Sequence, residues 1–121
     1  MKILFVEDNV NTARATKALL EMHGYQIDTA GSVADALNVL RANDYDLLIS
    51  DMTLPDGTGY DVLAKSPKLV RAIALSGYAA DEDRNHAIES GFADFIAKPY
   101  KTADLIAAIE KTSSTNPQPT P

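Results

Sequence analysis

The feature that most constrains this chain is a regular alternation of short apolar runs with longer amphipathic segments. Residues 3–6 form a continuous apolar run, which is typical of a strand that is covered on both faces of a sheet. Residues 12–22 then carry apolar side chains at helical spacing, and Gly24 follows as a stop signal. The pattern predicts a strand and then a helix whose apolar stripe is Ala15, Ala18, Leu19 and Met22.

Four further strand and helix units follow along the chain. The predicted strands are residues 25–30, 46–50, 70–75 and 92–97. The predicted helices open at Ser32, which has Asp35 as a capping partner, and then at residues 61–64, 81–90 and 102–111. Such alternation indicates a parallel sheet with helices on both faces, and right-handed crossovers favour a doubly wound, flavodoxin-like α/β fold. We expect five strands in the order 2-1-3-4-5 and five helices.

The length of 121 residues fits one domain, which we predict to span residues 1–111. Residues 112–121 contain three prolines, no charged residue and no apolar pattern. We interpret this last stretch as a disordered tail or a linker.

Composition excludes several classes of protein. The net charge of −6 disfavours nucleic-acid binding by this chain alone, since an acidic surface repels phosphate backbones. The chain has no cysteine, which excludes a disulfide framework, a zinc–thiolate site and a cysteine nucleophile. Its apolar runs are too short for a membrane span or the core of a signal peptide. We therefore expect a cytoplasmic protein.

Chemically useful side chains follow the predicted strands at the points where the strands end. Glu7 and Asp8 follow the first strand, Asp51 the third, Ser76 the fourth and Lys98 the fifth. Because ligands bind at the carboxyl ends of the strands in this fold, we expect these five side chains to converge. Clustered carboxylates repel one another, and a hard cation such as Mg²⁺ relieves that repulsion. An aspartate can also attack phosphorus to give an acyl phosphate, with an ammonium and a hydroxyl beside the phosphoryl oxygens.

Four segments in order strengthen this interpretation, and the chain resembles the receiver domains of two-component response regulators. The matching segments are residues 3–9, 46–59, 74–78 and 91–100, and the likeness extends from residue 2 to about residue 111. The resemblance implies a switch that catalyses only its own phosphoryl transfer and dephosphorylation. It also implies Mg²⁺ as the cofactor.

The resemblance assigns a role to each matched site residue. Asp51 would be the phosphoacceptor and a metal ligand. Asp8 would bind Mg²⁺ directly, Glu7 would bind it through water, and Thr53 would contribute its backbone carbonyl.

The other matched residues concern the phosphoryl group and the switch. Ser76 and Lys98 would hold the phosphoryl group, and the Lys98–Pro99 peptide bond would be cis. Phe95 would turn inward when Ser76 moves, although a plain core aromatic is an equal interpretation. The surface formed by the fourth helix, fifth strand and fifth helix would then change.

The stretch between Asp51 and Ser76 is shorter than in most receivers, which resembles the receivers of hybrid sensor kinases. The resemblance therefore implies a histidine kinase or a histidine phosphotransfer domain as the partner. We expect a monomer or a weak dimer. Tyr78, two residues past Ser76, is expected to shield the aspartyl phosphate from water.

Other interpretations of the same residues stay open at this point. A phosphatase of the haloacid dehalogenase class would need an aspartate where the chain has Thr53. A flavin-binding module would need a phosphate loop rich in Ser, Thr and Gly after the first strand, where the chain has residues 7–9. A receiver fold without phosphorylation would not need the acidic set, and Asp8-Asn9 alone would be an ordinary helix cap.

Overall fold

A computed structural model of the chain describes residues 1–77 and 81–114, with side chains up to residue 112. The strands are β1 (Lys2–Val6), β2 (Gln26–Ala30), β3 (Leu47–Asp51), β4 (Thr53–Leu54), β5 (Gly57–Thr58), β6 (Ala72–Ser76) and β7 (Asp94–Ala97). The helices are α1 (Val10–Met22), α2 (Val33–Ala42), α3 (Gly59–Lys65), α4 (Asp81–Glu89) and α5 (Thr102–Ser114).

Five of these strands form one parallel sheet in the order β2-β1-β3-β6-β7. Strands β6 and β7 are the predicted fourth and fifth strands, so the predicted order and the doubly wound α/β fold are confirmed. The structure adds a short antiparallel hairpin, β4–β5, which the sequence analysis did not anticipate. This hairpin lies directly after Asp51, the last residue of β3.

The sheet separates two apolar layers because successive side chains of a strand point to opposite faces. In β1, Ile3 and Phe5 belong to the layer under α1 and α5, whereas Leu4 and Val6 belong to the layer under α2, α3 and α4. All four side chains are fully buried. This double coverage explains why residues 3–6 of β1 form a continuous apolar run.

Side-chain caps fix where the first two helices begin. The Asn9 carboxamide oxygen accepts a hydrogen bond from the Thr12 amide at 3.0 Å, so α1 starts at Val10. The Ser32 hydroxyl accepts one from the Asp35 amide at 3.1 Å, which confirms the predicted cap of α2.

The predicted apolar stripe of α1 was wrong. The side chains that face the sheet are Ala13, Thr16 and Leu20. The stripe chosen from the sequence faces solvent: Leu19 is 40% exposed, Met22 is 80% exposed, and Ala15 and Ala18 are exposed. The buried stripe contains a threonine and a small alanine, so the opposite face is the more apolar one. The spacing of apolar residues therefore predicts the wrong face.

The last helix is longer than predicted. It extends to Ser114, three residues beyond the predicted boundary at Lys111. Thr112 is buried, and its carbonyl accepts a hydrogen bond from the Arg71 guanidinium, which accounts for the extra turn. Residues 115–121 and Tyr78 lie outside the described residues, so the predicted tail and the predicted shield remain predictions.

The two adjacent leucines of α1 test this orientation of the helix. Leu20→Ala should lower the free energy of unfolding by about 2–5 kcal/mol, because it leaves a cavity at a fully buried position. Leu19→Ala at the half-exposed neighbour should cost less than about 1 kcal/mol. Urea unfolding of both variants measures the difference, and equal losses would contradict the orientation.

Candidate functional site

Three carboxylates meet at the carboxyl ends of β1 and β3. The two strands are hydrogen-bonded neighbours with Val6 paired to Ser50, so the residues that follow them emerge side by side. Oxygens of Glu7, Asp8 and Asp51 all lie within 4.8 Å of one another. Glu7 and Asp51 are buried and Asp8 is exposed, so the cluster opens to solvent on the side of Asp8.

Lys98 supplies the positive charge of the cluster. It follows β7, two strands away from β3, and its side chain reaches back across the end of β6. The Lys98 ammonium donates a hydrogen bond to Asp51 Oδ2 at 2.8 Å and lies 3.5 Å from Glu7 Oε1. The predicted cis peptide bond between Lys98 and Pro99 is confirmed.

Ser76 lies on β6, the strand between β3, which ends at Asp51, and β7, which precedes Lys98. It ends β6, where it is paired with Ala97 of β7, and it is 5% exposed. The Lys98 amide donates to the Ser76 carbonyl at 2.7 Å, so the backbones of the two residues are joined directly. The structure therefore brings the serine to the same edge as Asp51.

Thr53 is joined to Asp51 through its backbone. The Thr53 amide donates a hydrogen bond to Asp51 Oδ1 at 3.2 Å, while Asp51 Oδ2 accepts a hydrogen bond from the Lys98 ammonium. Both carboxylate oxygens of Asp51 are therefore held by donors on opposite sides. Thr53 is also the first residue of the hairpin β4–β5.

Phe95 lies inside the protein. It is 3% exposed and packs in the apolar layer with α4. The Arg84 guanidinium lies 5.4 Å from the centre of its ring and 3.8 Å from an Asp94 carboxylate oxygen. A buried aromatic fits both a core residue and a switch residue, so the predicted movement of Phe95 remains a prediction.

Burial and the shared lysine shift the pKa values of the cluster in different directions. Burial, followed by its hydrogen bond with Asp51, raises the pKa of Glu7 to about 7. Burial alone would raise the pKa of Asp51, but hydrogen bonds from Lys98, Glu7 and the Thr53 amide outweigh it, so that pKa is lowered. Burial would lower the pKa of Lys98, but the attraction of Asp51 and Glu7 raises it. Asp51 is therefore ionised at neutral pH, whereas the pKa of Glu7 lies close to neutral pH.

The three carboxylates fit a hard divalent cation. Oxygen atoms are the ligands that such ions prefer, and the cluster offers three carboxylates against one ammonium. Burial, the hydrogen bond with Asp51 and the negative charge of Asp51 together raise the pKa of Glu7 to about 7, although Lys98 opposes the shift. Glu7, Asp8 and Asp51 are therefore the residues that could hold a metal ion.

Sequence reasoning missed two contacts around the site. Asp56 accepts hydrogen bonds from the Val33 and Ala34 amides, although its Pro-Asp-Gly setting indicates only a turn. Tyr100 packs in the layer with α1, where burial raises the pKa of its hydroxyl and a hydrogen bond with Thr16 opposes that shift. No pattern in the sequence pairs these residues, since each contact joins separate loops and helices.

Comparison with known proteins identifies what such a site belongs to. The model of the family described as response regulator receiver domain matches residues 3–110. The swarming motility regulation protein RssB of Serratia marcescens is 33% identical over 113 residues, which cover 91% of this chain and 52% of RssB. This chain thus spans about half the length of that relative.

Solved structures give the same result. The non-phosphorylated HemR receiver domain from Leptospira biflexa has a TM-score of 0.86 and 31% identity, with 98% of each chain covered. A response regulator from Burkholderia pseudomallei, with a phosphorylated aspartic acid, calcium ion and citrate, has a TM-score of 0.80 and 25% identity. The alignment covers 93% of this chain and 68% of that one.

Glu7 offers a test of the electrostatics of the metal-free cluster. A carboxyl whose pKa is raised on folding keeps a proton that the unfolded chain has already lost, here between pH 4.5 and about 7. The free energy of unfolding in EDTA should therefore fall as pH rises through that range. Urea unfolding at several pH values measures the slope.

Two variants show whether Glu7 causes this pH dependence of the free energy of unfolding. Glu7→Gln should flatten it, since the amide does not titrate. Glu21→Gln, at an exposed position on α1, should leave it unchanged. An unaltered slope in Glu7→Gln would show that another group is responsible.

Proposed function

The chain belongs to the response regulator receiver family, and on that premise we propose that Asp51 accepts a phosphoryl group from a phosphohistidine, with Mg²⁺ bound beside it. One observation carries the proposal: the Asp51 carboxylate lies within 4.8 Å of two other carboxylates while an ammonium holds it at 2.8 Å. In the transfer, the bond between phosphorus and the histidine nitrogen breaks as a bond forms from phosphorus to an Asp51 carboxylate oxygen. The histidine side chain is the leaving group.

Each residue of the site has a part in this proposal. Asp8 and Asp51 would hold the metal directly and Glu7 through water, with the Thr53 carbonyl as a further ligand. The ion supplies positive charge next to the phosphoryl oxygens. Lys98 and Ser76 orient those oxygens by donating hydrogen bonds, and the Lys98 ammonium also offsets their negative charge. The chain catalyses only its own phosphoryl transfer and dephosphorylation.

The similar structures support this chemistry. The Burkholderia pseudomallei regulator carries a phosphorylated aspartic acid and a calcium ion in a receiver-like chain that aligns with most of this one. Calcium and magnesium both prefer oxygen ligands, so the acidic cluster of this chain suits either ion. Mg²⁺ is the better match to a small set of protein ligands that leaves room for phosphate oxygens.

Phosphorylation would be transmitted through β6 and β7. A phosphoryl group on Asp51 adds negative charge and acceptor oxygens close to Ser76, which is then drawn toward it. Ser76 is joined to Lys98 through the backbone, and Phe95 lies three residues before Lys98 on β7. The surface formed by α4, β7 and α5 is therefore the part that responds.

The exposed face of α1 suits the partner that donates the phosphoryl group. The helix begins two residues after Asp8, and the side chain of its first residue, Val10, is 66% exposed. A partner must bring a histidine to the open side of the cluster, so an apolar surface beside that opening would guide docking. We propose that a histidine kinase or a histidine phosphotransfer domain contacts this face.

Location and assembly are further parts of the proposal. Among the helices in the described part of the chain, none is long and apolar enough to cross a membrane. The cytoplasmic location and the monomeric or weakly dimeric state remain predictions from the sequence.

Covalent labelling of Asp51 tests the function. Acetyl phosphate with Mg²⁺ should add one phosphoryl group to the protein, and Asp51→Asn should abolish the adduct because the amide is not a nucleophile. Glu89→Gln, the same kind of change at an exposed residue of α4, should label normally. Intact-mass spectrometry with peptide mapping measures the adduct; an unlabelled wild-type protein, beside a labelled control receiver, would refute the function.

Lys98 tests the transmission of the signal. Lys98→Ala should remove most of the chemical shift changes that beryllofluoride, a phosphoryl analogue, causes in α4, β7 and α5. Lys101→Ala, at a nearby exposed lysine, should keep them. NMR spectra of the two variants with beryllofluoride and Mg²⁺ make the comparison. Shift changes of wild-type size in Lys98→Ala would contradict the proposed role.

A further inference from the structure

We propose that Asp56 is a positioning residue, which fastens the hairpin β4–β5 to the start of α2 and thereby holds Asp51 and Thr53 in place for the metal ion. The inference rests on the proposed function, since it concerns the same metal site. Asp56 is exposed and does not belong to the cluster of Glu7, Asp8 and Asp51.

The Asp56 carboxylate uses both oxygens to bind the first turn of α2. Oδ1 accepts a hydrogen bond from the Val33 amide at 2.7 Å, and Oδ2 accepts one from the Ala34 amide at 3.0 Å. These amides lack partners within the helix, and a negative charge at a helix start is favourable. The two bonds lower the pKa of Asp56, so the carboxylate is ionised and the attachment persists at neutral pH.

The hairpin carries this attachment to the phosphoacceptor. Asp56 lies between the two strands of the hairpin, in which Leu54 pairs with Gly57 and Thr53 pairs with Thr58. At the other end of the hairpin, the Thr53 amide donates to Asp51 Oδ1 at 3.2 Å. The chain of contacts thus runs from the amides of α2 through Asp56 and the hairpin to the Asp51 carboxylate.

Close packing keeps the tip of the hairpin against α2. A Cβ atom added to Gly57 would lie 3.1 Å from Val33 Cγ2, so the first residue of α2 leaves little room for a side chain at the tip. The tip therefore lies close to the start of α2, where Asp56 makes its two hydrogen bonds.

The start of α2 also reaches the other side of the acidic cluster. The Ala30 carbonyl, at the end of β2 and three residues before α2, accepts a hydrogen bond from the Glu7 amide at 2.9 Å. The segment from Ala30 to Ala34 is thus bonded both to the backbone of Glu7 and, through Asp56, to the loop after Asp51. It sets the spacing between the two acidic loops.

A purely stabilising cap is the competing interpretation, and α2 contains a matched control for it. Ser32 caps the same helix through the Asp35 amide at 3.1 Å but makes no bond to the hairpin. Ser32→Ala and Asp56→Ala should both destabilise α2, whereas only Asp56→Ala should release the hairpin. Urea unfolding measures the shared effect on stability.

The deciding measurement is the dissociation constant of Mg²⁺, obtained by titration calorimetry on the whole chain. Residues that orient metal ligands typically change affinity about tenfold or more, so Asp56→Ala should weaken binding about tenfold. Ser32→Ala should change it less than about twofold. Asp56→Asn keeps one acceptor oxygen and should fall between wild type and Asp56→Ala, which provides a second variant if the alanine protein does not fold.

A second measurement needs no metal ion. Hydrogen exchange of the Thr53 amide should be faster in Asp56→Ala or Asp56→Asn than in Ser32→Ala, since its bond to Asp51 depends on the hairpin. If wild type binds Mg²⁺ and the Asp56 variants bind it equally well, the inference is overturned. If wild type binds no Mg²⁺ at all, the proposed function itself fails.

Discussion

The site depends on the repulsion between three carboxylates that the sheet brings together, which the Lys98 ammonium offsets only in part. Glu7 and Asp51 are buried at neighbouring strand ends, and Lys98 contacts both. Buried charges without partners are costly, so such a pair persists only where the surrounding fold fixes the geometry. The parallel sheet and its register fix it here. The same crowding of carboxylates makes the cluster suited to a cation.

Much of this site could be predicted from the sequence because the order and the ends of parallel strands determine where the residues that follow them lie. Once each apolar run is identified as a strand, the residues after the strands must gather at one edge. Glu7, Asp8, Asp51, Ser76 and Lys98 were found in that way, and the structure brings all five together. The argument needs only strand ends and strand order, which the apolar runs define clearly.

Features that depend on which way a side chain points were harder to predict. The wrong face of α1 was chosen because Thr16 is buried while Met22 is exposed, the reverse of their polarity. The hairpin β4–β5 has two residues per strand, too few for any periodicity. The bonds from Asp56 to α2 join residues about twenty positions apart, and the contact of Arg84 with the Phe95 ring joins α4 to β7. None of these contacts leaves a pattern along the chain.

The hydrogen bond from Arg71 to Thr112 has a mechanical consequence. Arg71 comes directly before β6, and Ser76 ends the same strand, so one five-residue strand links the last turn of α5 to the floor of the acidic site. A strand of this length spans about 17 Å and hardly stretches, because its neighbours on both sides are hydrogen-bonded to it. The contact of Arg71 with α5 and the side chain of Ser76 therefore lie at the two ends of one strand in the middle of the sheet.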